Sequence, residues 1–111
     1  MSVTFENRDG ILVARLNGDL DANNSPAVES AIDDQIEKGQ IKIVLDFSNS
    51  EYISSAGLRV ILKATKILKE KAGNVVLCHA NEQITEVLQI SGFMALVICM
   101  PTLEDAIERL S

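Results

Sequence analysis

Positive charge is scarce in this chain: ten Lys and Arg stand against sixteen Asp and Glu, for a formal charge of −6 over 111 residues. Such a balance disfavours nonspecific attraction to DNA, RNA or anionic lipid, so neither nucleic acid nor a membrane surface is an expected partner. No apolar run approaches membrane-spanning length, and "MSVTFENRDG" lacks the basic start and apolar core of a signal peptide. A cytoplasmic protein is expected. There are only two cysteines, Cys78 and Cys99, each alone in an apolar segment ("VVLCHA", "LVICMP") and not in a CxxC, which reads as buried free thiols with no metal and no disulfide. P-loop and GxGxxG patterns are missing, as are repeats and low-complexity tracts, and no cofactor is implied.

What is present is a 47% hydrophobic chain of the length of one domain, spanning 1–111. "SVTFENR" and "ILVARLNG" flank Asp9-Gly10, a dipeptide that favours a tight hairpin. Ser25-Pro26 reads as a cap followed by the first position of a helix that Gly39 ends. "IKIVLDF" is a buried-strand run, residues 55–71 a second helix closed by Gly73, and "NVVLCHA" a further strand. Asn81 can cap a third helix, "EQITEVLQI"; "ALVICM" is the last strand; Thr102 and Asp105 resemble a capping box for "LEDAIERL". The expected order is β-β-α-β-α-β-α-β-α. It implies an α/β fold with right-handed crossovers: a mostly parallel five-stranded sheet, an N-terminal antiparallel hairpin strand and four helices.

Ligands and partners gather at the carboxyl edge of a parallel sheet. Two loops meet there: "GDLDANNSP", bringing Asp19 and Asp21, and "SNSEYISSAG", bringing Ser54 and Ser55. From the residues alone a serine at this place is a helix cap or a modifiable hydroxyl. The second helix has an apolar arc wider than a sheet-resting helix needs, with Leu58 and Leu62 at its margin beside Arg59 and Lys66. Either the two leucines form an exposed ridge or another helix covers them. Residues 55–71 carry five basic side chains and one acidic, net +4, which leaves −10 for the rest. Arg59, one turn after Ser55, and the free amides of the helix start both favour an anion on Ser55.

"GDLDANNSP" followed by "LDFSNSEYISSAGLRVIL", with "LQISGF" later, resembles the STAS domain of bacterial anti-sigma factor antagonists over almost the whole chain. That family has a "GELD"-like turn, a "DxSxxxxxDSSGLGVL"-like loop and helix, and an "F-x-x-SGL" ending of its third helix. The resemblance implies partner switching. An unphosphorylated antagonist binds an anti-sigma factor that is also a serine kinase of GHKL-type fold, freeing a sigma factor; phosphorylation loosens the complex, and a PP2C-type phosphatase resets it. Aligned through Gly57, the acceptor is Ser55, with Ser54 as an alternate. Ser54 replaces the family's Asp, Ala56 its small hydroxyl residue, and Arg59 a frequent glycine. Asp21 matches the end of the "GELD" turn, near the acceptor and part of the partner surface.

The reading is a non-enzymatic anti-sigma factor antagonist. Ser55 is the phosphoacceptor, and Asp19, Asp21, Ser54, Ala56, Gly57, Leu58, Arg59 and Leu62 form the partner surface. The alternative is a STAS adaptor subunit of another signalling or lipid-transport complex. A serine hydrolase is disfavoured, since "ISSAG" lacks the first glycine of a nucleophile elbow and the single histidine, His79, stands near the end of the fourth strand on a face the sequence leaves open.

Overall fold

Asp9 and Gly10 both take left-handed backbone, φ 53° and 86°. Two such residues make the primed turn whose twist matches the flanking strands. The computed structural model, which describes residues 2–111, accordingly pairs β1 (Ser2–Arg8) antiparallel with β2 (Ile11–Asn17). β3 (Lys42–Asn49), β4 (Asn74–Cys78) and β5 (Ile98–Met100) then add in parallel, giving a five-stranded sheet in the order β1-β2-β3-β4-β5. This is the expected architecture.

Three helices, α1 (Ser25–Glu37), α2 (Ser55–Glu70) and α3 (Glu82–Ile90), cover one face of the sheet, and α4 (Leu103–Leu110) covers the other. Side chains alternate across each strand. Ile43, Leu45 and Phe47 of β3 join Leu12, Ala14 and Leu16 of β2 under α1 to α3, whereas Val44 and Val13 meet Leu103, Ala106 and Leu110 of α4. Asp46 also points to the α4 side, 2% exposed, and accepts from Arg15 Nε at 3.0 Å and from the Ser48 amide at 2.9 Å. Burial alone pushes the Asp46 carboxyl up, but the Ser48 amide and the Arg15 guanidinium outweigh it and hold the group below the ordinary carboxylate value.

Two elements differ from the sequence expectation. The last strand covers only Ile98–Met100, because Gly92 turns left-handed (φ 78°) and Phe93–Ala95 form a short 3-10 turn closed by the Leu96 and Val97 amides on the Phe93 carbonyl. At α1 the cap position is Asn24, and Ser25 is the first helical residue, buried, its hydroxyl donating to the Asp21 carbonyl. Asn24 does not cap, because its side chain is committed backward: it accepts from the Asp21 amide at 2.8 Å and donates to the Asp19 carbonyl. No helix among the described residues is long and apolar enough to cross a membrane.

Candidate functional site

The carboxyl edge of β2 and β3 continues as two loops that run side by side. Leu20 and Ile53 form an isolated parallel bridge. Backbone bonds lace the loops together: Gly18 N to Asn49 O at 3.1 Å, Leu20 N to Tyr52 O at 3.2 Å and Ser54 N to Leu20 O at 2.9 Å. Side chains add to the lacing, since Asp19 Oδ1 accepts from the Glu51 and Tyr52 amides and the Ser50 hydroxyl donates to the Gly18 carbonyl at 2.6 Å. From the β4–α3 connection, Asn81 Nδ2 donates to the Glu51 carbonyl at 3.1 Å. The loop before the two serines is thus held from both sides.

One of the two serines caps α2 and the other does not. Ser54 is the cap of α2, its hydroxyl accepting from the Gly57 amide at 3.3 Å. Ser55 is the first helical residue, and it is exposed. Its side chain is not needed to start the helix. Asp21 serves the neighbouring helix: Oδ1 accepts from the Asn23 and Asn24 amides at 2.9 and 3.1 Å, which turns the chain into α1. Gly57 is buried where α2 crosses the bridge; a Cβ there would fall 2.8 Å from Ile53 Cγ1 and from Leu20 Cγ. Only a glycine lets the helix start rest so close to both loops.

Arg59 is exposed and lines a shallow cleft between the starts of α1 and α2 with Ala22, Pro26, Glu29 and the half-buried Ala56. Leu58 is 4% exposed and belongs to the core under α1 to α3, so it offers no outer surface. The exposed-ridge expectation is corrected at that position: the broad apolar arc of α2 faces the sheet, α1 and the segment after α3 at once. Leu62 is half-buried and borders an apolar groove with Thr65, Leu96 and the alkyl stems of Lys66 and Lys69. Lys63 bridges to Glu29 at 2.9 Å and to Asp33 at 3.4 Å, tying α2 to α1. Large apolar side chains that are exposed occur instead at Tyr52, Leu96 (52%) and Ile90 (78%). Sequence reasoning missed Ile90 and Leu96 because both lie in runs that read as ordinary core.

His79 clusters with Asp46 and Cys78 on the α4 side of the sheet, whereas Ser55 opens a helix on the opposite side. The two do not form a nucleophile–base pair.

The STAS domain profile matches residues 2–106. The chain belongs to the STAS domain family. BtrV of Bordetella bronchiseptica is 40% identical to this STAS protein over 96 residues, covering 86% of this chain and 83% of that one. The anti-sigma F factor antagonist of Paenibacillus polymyxa is 30% identical over 112 residues, 100% of this chain and 93% of the other. Among solved structures, a Thermotoga maritima protein superposes with a TM-score of 0.93 at 26% identity, covering 97% and 93% of the two chains. The phosphorylated form of the Bacillus cell fate determinant SpoIIAA gives 0.75 at 25% identity, covering 99% and 100%. The laced loops and the capped α2 lie within the matched segment, residues 2–106.

Proposed function

We propose that this STAS protein is an anti-sigma factor antagonist. Unphosphorylated, it binds and sequesters an anti-sigma factor that is itself a GHKL-type serine kinase, and so releases a sigma factor; phosphate on Ser55 ends the binding, and a PP2C-type phosphatase restores it. The observation that carries this reading is the division of labour at the entrance of α2: Ser54 caps the helix, so the exposed Ser55 hydroxyl is free to be modified. The name of the Paenibacillus polymyxa relative, matched over the full chain, and the phosphorylated state of SpoIIAA support it. The protein acts by binding and not by catalysis.

Physical chemistry supplies the switch. A phosphate on the first residue of a helix meets free backbone amides and the positive end of the helix dipole, with Arg59 one turn away, so the domain keeps its fold. Nearly two negative charges then appear on the rim formed by the half-buried Asp21, Ser54 and Ala56 and the exposed Arg59. A partner fitted to the neutral rim meets charge repulsion and a buried, unpaired anion. The same partner extends onto the groove of Leu62 and Leu96, whose Lys66 and Lys69 margin suits an apolar segment flanked by acidic residues.

The test uses wild type, Ser55→Ala and Ser55→Asp as baits in the host lysate, followed by mass spectrometry and by kinase assay of the captured protein with ATP. A GHKL-type kinase retained by the first two baits, lost with the third and unable to phosphorylate Ser55→Ala is the expected result. Identical capture by all three baits overturns the switch and favours the adaptor role; phosphate incorporated into Ser55→Ala moves the acceptor to Ser54 or elsewhere.

A further inference from the structure

The parallel register sets Arg15 of β2, Asp46 of β3, Cys78 of β4 and Met100 of β5 side by side in one row across the α4 face. β4 ends at Cys78, and the next residue, His79, has left-handed backbone (φ 55°). That turn matters. In a continuing strand His79 would point to the opposite face from Cys78, because successive side chains alternate. Here, one donor atom each from Asp46, Cys78 and His79 lie within 4.8 Å of one another. A backbone conformation that few non-glycine residues adopt brings the imidazole to the buried thiol and carboxylate.

We propose that Asp46, Cys78 and His79 bind one divalent late-transition-metal ion of the zinc type, each giving a single donor atom while solvent completes the coordination. This site is independent of the antagonist reading and lies across the sheet from Ser55. A thiolate, an imidazole and a carboxylate are the donor types such ions take, at about 2.0–2.3 Å from the metal, so donors this close need only small side-chain adjustments to reach one ion. Asp46 is already oriented: Ser48 N donates to Oδ1 and Arg15 Nε to Oδ2. His79 is exposed and Cys78 fully buried, giving a site with a solvent entrance on one side and a dry wall on the other. Arg15 opposes the incoming charge. The thiolate formed on binding offsets this, since with one ionised carboxylate and one thiolate around the ion the three ligands and the metal sum to zero. A thiol that ligates an ion gives up its proton, so binding releases protons.

The test is a cobalt(II) titration of the untagged, reduced full chain, with zinc displacement and a pH-stat record of protons. Expected are a near-ultraviolet thiolate-to-cobalt charge-transfer band saturating at one ion per chain, about one proton released per ion, and a raised unfolding temperature. His79→Asn, which keeps a residue tolerant of left-handed backbone, weakens binding by at least about tenfold. Cys78→Ser abolishes the band, and Cys99→Ser, on the side of the sheet packed under α1 to α3, leaves it unchanged. Because Cys78 is buried, the metal-free unfolding temperature of each variant is measured alongside. A band that is absent in wild type, that survives Cys78→Ser, that is indifferent to His79→Asn or that depends on Cys99 overturns the proposal.

Discussion

Asp19 Oδ1 accepts two backbone amides of the other loop, Glu51 N at 2.9 Å and Tyr52 N at 3.1 Å. One carboxylate of the β2–α1 connection therefore sets the path of the chain three residues before Ser54. In the partner surface proposed above, the part of Asp19 is to hold the other loop in place.

Asp19→Ala is expected to cost about 1–2 kcal/mol, since two charge-assisted bonds are lost at a solvent-accessible place where water partly replaces them. Hydrogen exchange at the Glu51 and Tyr52 amides should accelerate, and partner affinity should fall up to about tenfold as the loop samples other paths. Unchanged exchange at both amides would show that the lacing of the backbone suffices.

The two serines should separate in stability measurements. Ser54→Ala removes the cap and costs about 1 kcal/mol, which is roughly 4–8 °C in unfolding temperature for a small domain. Ser55→Ala, which removes an exposed hydroxyl, should stay within about 0.5 kcal/mol of wild type. Equal losses in denaturant titrations would mean that both hydroxyls serve the helix.

Gly57→Val forces a branched side chain against Ile53 Cγ1, Leu20 Cγ and the Leu20 carbonyl, all under 3.0 Å from the Cβ position. Overpacking against a backbone carbonyl as well as side chains should cost about 2–3 kcal/mol or more. A wild-type unfolding temperature would show that α2 can shift away from the bridge freely.

Leu58→Asp and Leu96→Asp should fail differently. Leu58 is core, so a carboxylate there unfolds the domain, whereas Leu96 is half exposed and its replacement should leave circular dichroism unchanged while weakening the proposed anti-sigma factor complex by at least about tenfold. A folded Leu96→Asp variant with full affinity would remove the Leu62–Leu96 groove from the partner surface.

Arg15→Ala strips the buried Asp46 carboxylate of its counter-charge, while the Ser48 amide bond at 2.9 Å stays. Because Arg15 itself is partly exposed, the expected loss is about 2 kcal/mol, below that of a fully buried pair. Asp46→Asn in the same background should recover part of it; no recovery in the double-mutant cycle would place the loss in Arg15 packing instead.

Most of the architecture was legible because it is written in local chemistry. Asp9-Gly10 demands a primed turn, and Asn81 and Thr102 cap the helices they precede through bonds to Ile84 N and Asp105 N. Alternating strand and helix runs leave one handed way of building a parallel sheet. The two motif loops and their meeting at one edge follow from that topology, and so does the place of Ser55.

What the chain could not announce by itself are properties of register and coverage. Which serine caps depends on where α2 begins once Gly57 is pressed on the Leu20–Ile53 bridge. Leu58 and Leu62 look alike on a helical projection, and only the packing of α1 and the segment after α3 decides that one is core and the other borders a groove. Arg15, Asp46 and Cys78 lie 31 and 32 residues apart in sequence and become neighbours only through the alignment of three strands. Local patterns record what each residue needs from its own backbone; which distant side chain it meets is set by how the sheet closes, and that is a property of the whole tertiary structure.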